Sequence, residues 1–528
     1  MEHHHYSSSS SLPFFLFSLI IFILFISQLL KLLDKKSKVT SKKKEKLPPG
    51  PWTLPLIGSI HHLVGKSLPH HRMRDLAKKY GPLMHFKLGE ASIMVVSSPE
   101  VAKEVFKTFD INFAERPRHL GADILTYGST NIATARYGGY WKQLRRICSM
   151  ELLSPKRVSS FKSIREEEVM NLITWISDNT ESCVNLSEKV ASLTSAITAR
   201  AIFGEKCKDQ EQFISLLKNL GKIVERVFVV FSLFPSHTWL HYISGAKRET
   251  EKVHKNFDIV IKNIIKNKII RMKNNEDDED KSHTVDLLSI LLNIVEDHGA
   301  YEYPMTINNV KAIVFDLYGA GIETSSAVIE WTISELVKNP EAMARAQEEV
   351  RKAFGTKESS SSSSSSLENL TYLKAVIKET MRLHPPFPLL LPRECRETCE
   401  INGYTIAAGS QVIVNAWAIG RDPNHWGGEE DAERFRPERF LECSIDYKGC
   451  DVEFIPFGAG RRICPGIYFA VSSIEICVAQ LLYYFDWKVP KNGDIEGELD
   501  MTEYFGSTAR RKNDLILVPI PWNSSNNN

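Results

Sequence analysis

The chain has 528 residues, 43% hydrophobic and 25% charged, with a formal net charge of +2. That length supplies a large core, and the near-neutral balance argues against a nucleic-acid binder. Nine cysteines, an odd number without framework spacing, fit a reducing compartment better than a disulfide scaffold.

The first element in chain order is LPFFLFSLIIFILFISQLL, Leu12 to Leu30. It carries no charge and is about long enough to cross a bilayer as a helix. Its apolar core is too long for a cleavable signal, and no small-residue cleavage site follows. Lys31, Lys35, Lys36, Lys38, Lys42, Lys43, Lys44 and Lys46 come next and place the rest of the chain on the cytoplasmic side. Residues 1–33 are therefore expected to be a single uncleaved membrane anchor. Residues 34–58 form a basic, proline-rich neck, stiffened by Pro48, Pro49, Pro51 and Pro55. Residues 59–528 form one catalytic domain. His3 to His5 are too few to serve as a tag or a metal site.

Beyond the neck the pattern is mostly helical. Short strand-like runs interrupt it: LMHFKLG and SIMVVSS early, YTIAAGSQVIVNAWAIG in the middle, DLILVPI at the end. The acidic stretch Asn274 to Lys281 and the serine tract Glu358 to Asn369 read as surface loops, with helical pattern continuing on both sides. There is no internal repeat. The expected fold class is mainly α with a small β region.

The loop FIPFGAGRRICPG, Phe454 to Gly466, carries the chemistry. A thiolate is a useful metal ligand only where its anionic form is stabilised. Gly458, Gly460 and Gly466 let backbone N–H groups approach, Arg461 and Arg462 add charge, and a helix beginning near Pro465 turns its positive end toward Cys464. That helix is buried, with Ile467, Ala470, Ile474, Val478, Leu481 and Phe485 at spacings of three or four, and Cys477 on it is plain core. One thiolate without a second Cys or His at zinc spacing suits a haem iron rather than structural zinc. GAGRRI is no dinucleotide fingerprint, because Ile463 stands where a third glycine belongs.

The pattern Phe457, Gly460, Arg462, Cys464, Gly466 resembles the haem-binding signature of the cytochrome P-450 monooxygenases. Four further motifs match the same family. AGIETS, Ala320 to Ser325, lies in a helical run from Ile307 to Asn339 closed by Pro340. Gly319 and Gly321 cost that helix about 1 kcal/mol each against alanine. The resemblance makes it the central helix over the haem, locally distorted to hold oxygen, with Thr324 and Glu323 delivering protons. KETMRLHPP and FRPERF supply Glu379, Arg382 and Arg439, a structural network that does no chemistry. YWKQLRR supplies Trp141 and Arg145, which with Arg462 and Arg393 are implied contacts of haem propionates. Cys464 is the implied axial iron ligand, with Phe457, Gly458 and Gly466 in its loop.

The whole chain is most similar to plant microsomal members of the family, the group of the limonene hydroxylases, premnaspirodiene oxygenase and tabersonine hydroxylase. The resemblance implies haem b, O2 as co-substrate, and electrons from NADPH. Since no flavin or nicotinamide motif is visible, a separate NADPH-dependent reductase must supply them, docking on the basic face near Cys464. It also implies a single-pass location in the endoplasmic reticulum membrane with the catalytic domain in the cytosol. Substrate choice is expected at Leu125, Tyr127, Phe315, Ala320, Leu389, Leu390, Phe505, Gly506 and Ser507. Most are apolar, so the expected substrate is apolar too: a sesquiterpene or diterpene, with an indole alkaloid as alternative. Two rivals are a haem-thiolate isomerase or lyase acting on hydroperoxides and a non-catalytic haem-binding scaffold. Thr324 and the uninterrupted cysteine loop weigh against the first, and the paired acid and alcohol against the second.

Overall fold

The computed structural model describes residues 46–180, 182–204, 233–274, 285–297, 301–355, 367–492, 495–496, 498–506 and 508–522. The expected anchor, the first part of the neck, nearly all of the acidic stretch and most of the serine tract lie outside the described residues.

The described part of the neck lies along the first hairpin. Gly50 sits against the backbone of His85, where a Cβ would clash with its carbonyl oxygen, and His85 donates back to the Pro49 carbonyl. Helix α1, Pro69–Tyr80, opens with proline at its first turn, where the missing N–H costs nothing. Strands β1, Leu83–Leu88, and β2, Ala91–Val96, pair antiparallel. Gly89 takes φ 59° in the tight turn between them, a conformation that favours glycine.

Helix α2, Gly139–Ile147, holds the YWKQLRR motif, and α3, Leu186–Phe203, and α4, Ala246–Lys273, follow. Helix α5, Ile307–Lys338, is the axis of the molecule. It opens on a capping box between Thr306 and Asn309 and stops before Pro340, the first residue of α6, Pro340–Phe354. The local distortion expected in α5 is absent: the helix is continuous, and neither Gly319 nor Gly321 has a positive φ. Helix α7, Thr371–Leu383, and α8, Ile467–Tyr484, pack against α5, and their buried faces join it in the main core.

Strand β3, Arg393–Glu394, and β4, Gln411–Val414, complete a four-stranded sheet. β4 runs parallel to β2, so the helical body forms the long crossover between them. The strand pattern expected through Gly420 ends at Val414. The Asn415 side chain accepts the Ala418 N–H and starts a short helix, Ala416–Ile419. Near the C-terminus β5, Glu503–Phe505, and β6, Ala509–Arg511, form a small hairpin.

Candidate active site at the cysteine loop

The loop before α8 is shaped by two glycines in the left-handed region, Gly458 at φ 70° and Gly460 at φ 69°. At Gly460 a Cβ would come within 2.4 Å of an Asp110 carboxylate oxygen. Inside this turn Cys464 donates its N–H to the Phe457 carbonyl at 3.0 Å, and the Cys464 sulfur accepts the Gly466 N–H at 3.3 Å. Helix α8 starts three residues beyond the sulfur.

Burial raises the Cys464 thiol pKa, opposed by the Gly466 N–H and by the charge of Arg145. The charge expected from Arg461 and Arg462 is placed elsewhere. Arg461 is exposed and engages Asp110, while Arg462 turns toward backbone carbonyls. Arg145 is the cation at the sulfur, its guanidinium donating to the Ile463 carbonyl at 2.6 Å. Cys477, enclosed on α8, has its thiol pushed up to about 12 by burial and stays a neutral core residue.

Three buried guanidiniums stand beside the loop: Arg116, Arg393 and Arg462, 7%, 4% and 8% exposed. Arg462 donates to the carbonyls of Ala114, Ile132 and Ala135, and its guanidinium carbon lies 4.1 Å from the Trp141 ring centre. Trp141 donates its own N–H to the Ile132 carbonyl at 3.1 Å. Arg393 reaches the carbonyls of Phe113 and Ala459, with Asp110 at 3.8 Å. Arg116 donates to Ala133, Leu391 and Pro392.

Burial lowers all three pKa values, to about 9 for Arg462 and about 10 for Arg393, and the other two charges lower Arg116 further. The nearby Glu115 carboxylate is engaged by the N–H groups of Arg116 and Tyr137 and by Arg136. Such a concentration of buried positive charge fits a ligand with carboxylates, as haem has, and the thiol beside it suits iron. Arg116 was missed in the sequence, because no motif marks it there.

On α5 the residues before Tyr318 and after Thr324 are largely buried, yet Gly319, Ala320 and Glu323 are exposed. A Cβ at Gly319 would meet nothing within 4 Å, whereas one at Gly321 would touch Thr198 at 3.0 Å. The Thr324 hydroxyl donates to the Ala320 carbonyl at 2.7 Å, a bond within its own turn. Upstream, Asp316 accepts from the Ala133 N–H at 2.9 Å and the Asn131 side chain at 2.6 Å. It thereby ties α5 to the loop whose carbonyls hold Arg462, Arg116 and Trp141.

Glu379, Arg382 and Arg439 meet in one buried cluster. Glu379 takes a two-pronged contact from Arg382, at 2.7 and 2.8 Å, and a third from Arg439 at 3.0 Å. The same carboxylate accepts the Arg436 N–H at 2.8 Å.

The expected substrate residues lie on several elements. Leu125 is buried, and the Tyr127 hydroxyl is held by Asp258 of α4 at 2.7 Å. Phe315 meets Phe257 of α4 edge-on at 5.4 Å. Leu389 packs on the hairpin of β1 and β2, while Leu390 lies 3.9 Å from where a Cβ on Gly458 would stand. Ala320 is exposed on α5, and Phe505 and Gly506 are half-buried at the end of β5. Ser507 lies outside the described residues.

A profile of the Cytochrome P-450 family matches residues 48–516. The chain belongs to the cytochrome P-450 family. Desmethyl-deoxy-podophyllotoxin synthase of Sinopodophyllum hexandrum is 50% identical over 91% of this chain and 93% of its own length. Tabersonine 16-hydroxylase 2 of Catharanthus roseus is 49% identical, covering 94% of this chain and 96% of its own. Premnaspirodiene oxygenase of Hyoscyamus muticus is 48% identical, covering 93% and 96%. A zebra fish cytochrome P-450 solved with abiraterone superposes with TM-score 0.71 at 25% identity, over 86% of this chain and 99% of that one. This plant-type cytochrome P-450 is a monooxygenase that uses haem, O2 and electrons from NADPH delivered by a reductase, and acts on a small molecule.

Proposed function

We propose that this cytochrome P-450 hydroxylates, or successively oxidises, an apolar plant specialised metabolite, a sesquiterpene or diterpene in the first place. The observation that carries this reading is the apolar character of Ala320, Leu389, Leu390 and Phe505, together with close similarity to a premnaspirodiene oxygenase. A second reading, an indole alkaloid, is favoured by the equally close tabersonine 16-hydroxylase.

In this reading Cys464 would bind the haem iron through its sulfur, with its loop held by the bonds to the Phe457 carbonyl and from the Gly466 N–H and its turn shaped by Gly458. Arg462, Arg393, Arg145 and Arg116 would hold the propionates, with the Trp141 ring packed against the Arg462 guanidinium. Haem supplies the oxygen activation and C–H oxidation that side chains cannot perform. Thr324 holds a proton at its hydroxyl and Glu323 replenishes it, so the Thr324 bond to the Ala320 carbonyl must open for the hydroxyl to point away from its own turn. Glu379, Arg382 and Arg439 only hold the fold. The reductase docks where Arg461 and Lys107 are exposed beside the cysteine loop. Residues 1–33 anchor the chain in the endoplasmic reticulum membrane, residues 34–58 act as the neck, and 59–528 are the catalytic domain on the cytosolic side. The uncharged run and the lysines behind it support that placement.

The deciding experiment is expression in yeast with a plant reductase, fed a panel of terpene and alkaloid scaffolds. A hydroxylated product that needs both reductase and NADPH is expected. Turnover of a hydroperoxide with neither present would overturn the reading in favour of an isomerase or lyase.

A further inference from the structure

A second buried ionic cluster lies apart from the cysteine loop. Glu335 of α5 contacts His384 Nε2 at 2.7 Å, and His384 Nδ1 contacts Glu503 Oε1 of β5 at 3.1 Å. The other oxygen of Glu503 is hydrogen-bonded to His70 Nε2 at 3.2 Å and lies at ion-pair distance, 3.3 Å, from His71 Nε2 without hydrogen-bond geometry, both at the start of α1. One carboxylate thus gathers three imidazoles from two elements far apart in sequence. His70 is wholly buried, and its Nδ1 has no hydrogen-bond partner. His384 lies flat on Trp331 of α5 at 4.0 Å, and His71 stacks on Trp417 at 4.1 Å. Burial opposes the Glu503 charge, but the three histidines hold its carboxyl well below the usual carboxylate range. The Glu335 and Glu503 carboxylates raise the His384 pKa against the effect of its burial.

The hairpin that Glu503 belongs to carries Phe505 at its tip. Residues two apart in a strand face the same side, so Glu503 and Phe505 share a face. The Phe505 ring lies 5.4 Å from the ring of His70. Beyond the tip, Ala509 donates its N–H to the Pro386 carbonyl at 2.8 Å, joining the hairpin to the segment bearing Leu389 and Leu390. On the other strand Arg511 donates to Ser334 of α5 at 3.1 Å.

We propose that Glu503 is a positioning residue for substrate selection: its three-histidine clamp sets where Phe505 stands against Leu389 and Leu390. This rests on the reading of those residues as pocket wall. The clamp needs a carboxylate because both oxygens are used, one by His384 and one by the histidine pair. An amide offers only one acceptor and turns a donor toward the other imidazoles. The expected consequence is a Phe505 side chain no longer fixed in place and a pocket that holds bulky ligands less tightly.

The test uses the full chain, haem-loaded in lipid nanodiscs, titrated with two nitrogen ligands of haem iron: imidazole and clotrimazole. Imidazole reports access to iron, and clotrimazole must also fit its aryl groups between the walls. Glu503→Gln is expected to raise the clotrimazole Kd about tenfold while the imidazole Kd stays within about twofold, and Glu503→Asp to recover part of the loss. Phe505→Ala, the control on the pocket wall, is expected to shift the clotrimazole Kd as well. A shift with Phe505→Ala but none with Glu503→Gln overturns the clamp and leaves the pocket reading standing. No shift with either variant overturns the pocket reading, and the clamp's role with it. Equal shifts for both ligands with Glu503→Gln overturn the proposal in favour of a purely structural cluster. Should Glu503→Gln yield no haem protein, His71→Gln, whose side chain is 29% exposed, carries the test. Its expected clotrimazole shift is about threefold, and no shift overturns the clamp.

Discussion

Asp316 shows how one side chain can serve two parts of the site. It is half-buried on α5, and burial raises its carboxyl to about 6 against the bonds it accepts from Ala133 and Asn131. Its folded pKa lies above the unfolded value near 3.8, so the folded state holds the proton more tightly. The stability that this adds is full below about pH 4 and is lost as pH rises through about 6. The span is at most about 3 kcal/mol, less where water reaches the group. Asp316→Asn removes the titration. Its melting temperature relative to the parent should therefore rise between pH 4.5 and 7, on top of a constant offset from the changed hydrogen bonds. A difference that stays flat with pH would show that Asp316 titrates normally. Arg116 permits a second prediction at the same scale. Its charge is buried among two others, which a bound carboxylate would offset. Arg116→Gln should speed haem loss to apomyoglobin about tenfold, followed by absorbance. An unchanged transfer rate would remove Arg116 from the haem contacts.

Among the elements, α7 and the FRPERF turn depend on one carboxylate. Glu379 is wholly buried with Arg382, and Arg439 closes the cluster from a segment about sixty residues on. Breaking a buried ion pair leaves an uncompensated charge, so Glu379→Ala should cost about 3–5 kcal/mol. Denaturant unfolding of the haem-loaded protein would read this as a lower midpoint at constant slope. α5 behaves differently. It is continuous through two glycines, and its ends are set by the Thr306 capping box and Pro340. Its middle keeps no distortion, although the Thr324 hydroxyl bonds back to the Ala320 carbonyl, a contact that often bends a helix.

For the whole molecule, the neck and the catalytic domain are one packed unit where they are described. Gly50 lies on β1, and the Thr405 N–H donates to the Lys46 carbonyl. Membrane attachment is then expected to have two separable parts, the apolar run and the lysines behind it. Each lysine near an anionic surface contributes about 1 kcal/mol, and salt screens it. A chain lacking residues 1–33 should bind anionic vesicles at low salt and come off in high salt. The full chain should stay bound in both, as flotation assays would show. Release of the full chain by salt would contradict an inserted anchor.

The sequence by itself determined the features that depend on local chemistry. The glycine–cysteine loop, the proline that ends α5, the mainly α class with a small β region and the family resemblance were all legible there, because turn residues, caps and helical periodicity act over a few residues. Only the tertiary structure decided which charge stands beside Cys464. Arg145 is there because α2 packs on the loop, while the adjacent Arg461 and Arg462 turn away. It also brought Arg116, Asp316 and Glu503 into view. None is marked by a motif in sequence, and each is held by elements more than a hundred residues distant. It placed Tyr127 and Phe315 against α4, where side-chain packing gives an apolar residue its neighbours. Spacing along a chain records which residues share a face; burial and charge pairing depend on what that face meets, and this is fixed only when the whole core closes.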